Sequence, residues 1–253
     1  MSNIVAGMEK FIEYFKNYSE NYIIVGGTAT NAFLNEAGLN MRITKDIDII
    51  IVAENLNKEF GNVFWKFIKD GKYNCYCSKD DKVHYYRFIN YLNYEFPHMI
   101  ELFSKKEKFI GTTESIFTPV VVNDDISSLS AIILEDEYYN FLVSGKKVIN
   151  NISVLAPLHL IAFKAKAHVD LTRRKKQGIF VNERDSKKHK NDIFRLLQLL
   201  TINDSVNASN QVKYDIQEFI EIIKDDNIDV SLLTNNVLNY EEAIELLKKV
   251  FNL

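Results

Sequence analysis

The spacing of hydrophobic and polar positions changes along the chain, and the changes mark its elements. Residues 4–18 put Ile4, Met8, Phe11, Ile12 and Phe15 at helical spacing, predicting a helix that packs on a sheet. Residues 22–25 are a short apolar run, read as a strand. A helix is expected over about 28–36, closed by Gly38, and a second strand over about 46–52. Residues 56–69 are amphipathic, with Phe60, Val63, Phe64, Phe67 and Ile68 inward, Gly71 as the stop and Trp65 in the core or at a domain interface. Residues 82–91 and 99–103 read as a strand pair joined around 93–97. Residues 104–128 read as a loop with a short strand at 120–122. A strand at 129–134, a helix at 135–144 ended by Gly145 and an extended stretch at 147–155 follow. From Pro157 the period is helical: Leu158, Ile161, Ala165 and Val169 share a face, and further helices are expected over 185–200, 211–224 and 239–251. Strands mixed with helices, then helices alone, predict an α/β fold: a mixed sheet flanked by helices in 1–150, followed by a helical C-terminal domain in 151–253.

Composition narrows the class. The 253 residues are 47% hydrophobic, enough to bury a sizeable core, and only three are proline, which argues against disorder. The formal charge of −3 is no global nucleic-acid signature, so any such surface has to be a local patch. Cys75 and Cys77 are too few for a four-cysteine zinc site and read as free thiols of a cytoplasmic protein. No apolar run approaches membrane-spanning length and the first twenty residues lack a signal-peptide core, so neither membrane nor export is expected.

Chemistry concentrates in residues 22–53. Asp46 and Asp48 flank Ile47 on a predicted strand, so they share one face of an otherwise apolar element and repel each other, a conflict that a divalent cation resolves. The pair Gly26-Gly27 lets the backbone turn tightly and approach a ligand, and the helix after it, entered through Thr28, directs its N–H groups at that spot, which suits phosphate. A phosphate cradle and a metal-binding pair in one strand–helix–strand unit suggest a metal-bound nucleoside triphosphate. Arg42 either holds a phosphate or pairs with Asp46 or Glu36, and Thr44 reads as a hydrogen-bonding positioner. Glu101, between Ile100 and Leu102, is an acid among apolar residues that needs a partner or a metal if its strand is interior, and is a surface group if the strand is an edge. Lys164 lies within the apolar part of its helix, where it either snorkels to solvent or meets an anion, while Lys166 reads as solvent-facing. Asp192 is positioned to anchor Lys190 or Lys164, or to reach the site. Between 164 and 190 ten lysines and arginines meet three acids, the local patch that a polyanionic partner such as RNA requires unless it is only a solvated face.

The order Gly26-Gly27, then Asp46-x-Asp48, between apolar strands, resembles the polymerase-beta-like nucleotidyltransferase superfamily. Within it, Arg42-x-Thr44-x-Asp46-x-Asp48 resembles the AbiEii/AbiGii-type toxin branch, and the likeness extends over about residues 20–200. The resemblance implies Mg2+ or Mn2+ held by Asp46, Asp48 and a third carboxylate, Glu101. It implies an NTP contacted by Gly26, Gly27, Thr28, Arg42, Thr44 and Lys164, with Asp192 in the family's acidic element, where Asn191 stands in place of a common aspartate. It further implies a cleft between the two halves for the nucleotide, an acceptor such as the tRNA 3′ end, and a cognate antitoxin as a possible partner. The same core also serves small-molecule transferases, and catalytically silent partners share the fold.

Overall fold

The structure is a computed structural model and describes residues 5–55, 57–77, 84–90, 92–104, 120–121 and 135–253. The strand expected at 129–134 and most of the loop expected at 104–128 lie outside the described residues. The chain forms two compact units, one of residues up to 134 with 146–155, the other of 135–145 with 156–253.

The first unit is built on a mixed sheet. Helix α1 (Met8–Phe15) precedes β1 (Tyr22–Val25), α2 (Gly26–Glu36), β2 (Asp46–Ile51) and α3 (Lys58–Asp70). Strands β3 (Asn74–Cys77), β4 (His84–Ile89), β5 (Met99–Ser104) and β6 (Val120–Val121) follow. Helix α4 (Asp136–Ser144) then passes through the second unit before β7 (Lys146–Ile149) and β8 (Ile152–Leu155) return to the sheet. Among the described residues the strand order is β6-β3-β4-β5-β2-β1-β8-β7. Strand β2 runs antiparallel to β1 and parallel to β5, and β4 pairs antiparallel with β5.

One face of this sheet is packed with rings. Phe15 lies on Tyr22 at 6.1 Å between centroids, Phe11 meets Phe67 edge-on at 5.9 Å, and Phe64 meets Phe88 at 5.6 Å. Each such ring carries a large apolar area, and tilted or edge-on pairs add about 0.5–1.5 kcal/mol beyond burial. Tyr22, Ile47, Ile49, Ile100 and Phe88 therefore define the face covered by α1 and α3. By alternation the residues between them, Asp46, Asp48, Arg87 and Glu101, belong to the other face. Trp65 sits at the margin of the ring cluster, edge-on to Phe88 at 6.2 Å. Cys75 is a buried free thiol.

Two sheet elements were not expected. Strand β3, Asn74–Cys77, pairs antiparallel with β4 and, among the described residues, parallel with β6. The stretch expected to be extended through 147–155 is instead a hairpin. Asn150 and Asn151 both take positive φ, 49° and 66°, the two-residue turn that joins twisted antiparallel strands.

The second unit is helical. Besides α4 it contains α5 (Pro157–Lys176), α6 (Glu183–Leu197), α7 (Asn210–Ile223), a short α8 (Val230–Leu233) and α9 (Tyr240–Phe251). Proline at its first position suits α5, since the missing N–H would have no helical acceptor there. The α9 start is closed by a reciprocal cap between Asn239 and Glu242. The chain is thus an α/β protein, a mixed sheet with flanking helices followed by a helical C-terminal region. No helix among the described residues is long and apolar enough to cross a membrane.

Candidate active site

The acidic face of the sheet is built by register. Val25 on β1 is opposite Asp48 on β2, Asp48 is level with Glu101 on β5, and Glu101 is opposite Arg87 on β4. Asp46 lies two residues before Asp48 on the same face, level with Met99. Strand β5 has neighbours on both sides, so Glu101 is not on an edge, and its side chain is only 14% exposed. Arg87 Nε donates to Glu101 Oε1 at 2.9 Å. The partner that a largely covered acid on an interior strand demands is therefore an arginine on the adjacent strand. Arg87 was overlooked in the sequence; its signal was a lone cation, Tyr-Tyr-Arg87-Phe-Ile, in an otherwise apolar run that the chain folds against Ile-Glu101-Leu-Phe.

The glycine pair stands at the head of this row. Gly26 has φ +66°, and a β-carbon on it would lie 1.9 Å from Asp48 Oδ2. The Asp48 carboxylate thus reaches the start of α2, where unpaired N–H groups and the positive dipole end favour negative charge. A β-carbon on Gly27 would lie 2.5 Å from Arg42 Nη2 and 3.1 Å from Thr44 Oγ1. Arg42 and Thr44 consequently flank the same helix start. Asn31, buried and one turn along α2 from Gly27, donates from Nδ2 to the Arg42 carbonyl at 2.7 Å and pins the loop that carries Arg42. Sequence reading missed Asn31, although a polar residue four positions after Gly27 was visible. Thr28 is fully buried, and its hydroxyl donates to the Asp46 carbonyl at 2.6 Å. Its side chain therefore ties helix to strand, and what it offers an anion is its backbone N–H.

The donor set can be tested against a divalent cation. Asp46 and Asp48 supply hard oxygen ligands on one strand face, and magnesium is ordinarily held by one or two carboxylates together with substrate phosphates and water. That chemistry fits the pair. Among the described residues, however, no group of three or more His, Cys, Asp or Glu is arranged to hold a metal ion. Glu101 is level with Asp48 but is engaged by Arg87.

The expected residues of the second unit form separate clusters. Lys164 neither snorkels nor stands alone: it is 4% exposed and its Nζ donates to Asp192 Oδ2 at 2.9 Å. Asp192 is fully buried and also accepts from Arg195 at 3.2 Å. Lys190 goes instead to Asp226. Lys166, expected in solvent, is buried, with Asp170 and Asp215 each at 3.6 Å and Glu135 at 3.8 Å. The reason is Asp215 on α7, itself fully buried and accepting from the Tyr138 hydroxyl at 2.6 Å, which draws the ammonium inward. Burial raises the carboxyl pKa of both Asp170 and Glu135 against the lowering effect of Lys166. Six of the ten cations of 164–190 thus have carboxylate partners. Arg174, Lys176, Arg184 and Lys187 form no ion pair among the described residues.

No family model matches the chain, and comparison with curated proteins finds no relative. Among solved structures, an antigenic nucleotidyltransferase-like protein from Paracoccidioides brasiliensis is similar over 98% of this chain and 97% of its own, at 14% identity and a TM-score of 0.45. At that score the likeness carries no weight for fold or function, and the functional reading stands on the site.

Proposed function

We propose that the chain is a metal-dependent nucleotidyltransferase that moves a nucleoside monophosphate from an NTP to an acceptor hydroxyl, as AbiEii-type toxins do. The observation that carries the reading is the juxtaposition at the head of β2: a Gly-Gly helix start, the Asp48 carboxylate against it, Asp46 on the same face, and Arg42 with Thr44 beside Gly27. Each of these groups belongs to the sheet unit.

Asp46 and Asp48 would hold Mg2+ or Mn2+, and the ion when bound would neutralise charge on the triphosphate oxygens. The backbone N–H groups at Gly27 and Thr28 receive the phosphates, since a glycine pair leaves no side chain between them and the ligand. Arg42 offsets charge that grows on the leaving pyrophosphate. Thr44 positions a phosphate or Arg42 itself. In this scheme the protein forms no covalent intermediate and acts by placing donor and acceptor in line.

The acceptor in this reading is RNA, with the tRNA 3′ end as the example, met by Arg174, Lys176, Arg184 and Lys187, which form no ion pair among the described residues; a cognate antitoxin would restrain the activity. A small-molecule acceptor is the second reading, favoured by the internal pairing of the other six cations.

The test is transfer of label. Purified chain, Mg2+, each labelled NTP in turn and total tRNA are incubated beside Asp46→Ala/Asp48→Ala. Label on tRNA with the intact chain alone supports the RNA reading and names the donor. Metal-dependent NTP binding without tRNA label shifts the acceptor to a small molecule. Absence of NTP and metal binding removes the enzyme reading and leaves a silent binding partner.

A further inference from the structure

The contact between Arg87 and Glu101 bears on the metal stoichiometry of this site. Glu101 has the position that would complete a three-carboxylate cluster, level with Asp48 on the neighbouring strand. It is nonetheless tied to Arg87 at 2.9 Å. The tie is set by the fold. Arg87 and Glu101 are directly opposed residues of an antiparallel pair, so their β-carbons are neighbours on one face wherever the side chains turn. The guanidinium carries its charge at every working pH and offers donors in a fixed fork suited to a carboxylate. To ligate a cation near Asp48, Glu101 would have to leave this partner. Arg87 would then stand beside a divalent ion, two like charges on one sheet face. The row Asp48–Glu101–Arg87 thus sets two carboxylates side by side with one guanidinium at its end, and its stable arrangement keeps the arginine on Glu101.

We propose that Arg87 holds Glu101 out of metal ligation, so that this site takes a single divalent cation, on Asp46 and Asp48, and the guanidinium is the second positive charge of the face. Arg87 is on this account a positioning residue. The inference rests on the nucleotidyltransferase reading above and specifies its metal count.

The test counts Mn2+ ions on the full chain by the loss of the free-ion paramagnetic resonance signal, with Mn2+ alone as the probe. The wild-type chain binds one ion, and Asp48→Asn binds none. Glu101→Gln, which keeps shape and leaves Arg87 in place, still binds one. Arg87→Gln exposes Glu101 and raises the count from one to two, and Arg87→Gln/Glu101→Gln returns it to one. The double variant also replaces the ion pair by two amides, so a fold lost in Arg87→Gln alone is recognised by circular dichroism, and the wild-type and Glu101→Gln counts then decide. Two ions on the wild type, falling to one in Glu101→Gln, would overturn the proposal. So would a folded Arg87→Gln that still binds one. No ion on the wild type, Glu101→Gln or Arg87→Gln would remove the metal reading itself. A failed tRNA assay with the one-to-two change intact removes only the acceptor.

Discussion

One added methyl group at Gly26 tests the site most directly. The residue has φ +66°, and an L-residue held in that region costs about 1–2 kcal/mol. The new β-carbon would lie 1.9 Å from Asp48 Oδ2 and 3.0 Å from its Cγ, so the carboxylate must turn away. A short side chain end can do that without moving the backbone. What is lost is its favourable place at the α2 N-terminus, worth about 0.3–1 kcal/mol. Gly26→Ala is therefore expected to lower unfolding free energy by about 1.5–3 kcal/mol in urea titrations. In an Asp48→Ala background the collision is absent and only the backbone strain remains, so the two changes are non-additive by the Asp48 part. Because the displaced group is one of the two carboxylates proposed to hold the metal, Mn2+ affinity should fall by about tenfold or more. Gly27→Ala is the contrast: it has no positive φ, and its β-carbon meets the mobile end of Arg42. Its stability should hold or rise, by up to about 1 kcal/mol from helix propensity. If Gly26→Ala matches wild type in both urea midpoint and Mn2+ affinity, Asp48 is not where the reasoning needs it.

Two further predictions concern the helical unit. Lys164→Met leaves the fully buried Asp192 with only part of its charge answered by Arg195, and should cost about 3 kcal/mol by urea unfolding, with Lys164→Met/Asp192→Asn recovering at least half; a loss under about 1 kcal/mol would show the pair is not buried as described. His189 is pushed down to about 3, first by burial and then by the nearby Lys164 ammonium. The unfolded chain takes up a proton below about pH 6.5 and the folded chain does not, so stability falls as pH drops from about 6.5 towards 3, by at most about 1.4 kcal/mol per unit for this group. Unfolding at pH 7.5, 6.0 and 5.0 should therefore show a steeper decline in wild type than in His189→Gln, and equal slopes would refute it.

Much of the sheet unit was legible because its signals are local. The run Asp46-Ile-Asp48-Ile-Ile-Ile alternates at its start and becomes wholly apolar, and β2 occupies Asp46–Ile51. The ring-bearing positions Phe60, Phe64 and Phe67 recur at helical spacing and are buried on α3, whereas Val63, expected inward, is only partly covered. Two of the errors fall where a local rule has no vote. Lys166 looked solvent-facing because nothing within a turn of it except Asp170 answers its charge; Asp215, 49 residues on, does. The basic look of 164–190 came from counting within the segment, while Glu218 and Asp226 lie outside it. The hairpin at 146–155 had a local signal in Asn150-Asn151, since asparagine tolerates positive φ, and reading the stretch as one extended run passed over it.

Read alone, the chain settles which side chains share a face: alternation puts Asp46 with Asp48, and a glycine pair before a helix opens its N-terminus. These follow from the geometry of one strand and one turn. Which strands are neighbours, and in what register, is a matter of long-range pairing that no local period encodes. A one-residue slip between β2 and β5 would carry Glu101 to the ring-packed face. The fold chooses the register that buries Ile47 against Ile100 and Ile49 against Leu102, and that choice sets Glu101 beside Asp48 and gives it Arg87. The acidic face is thus a consequence of packing the apolar one.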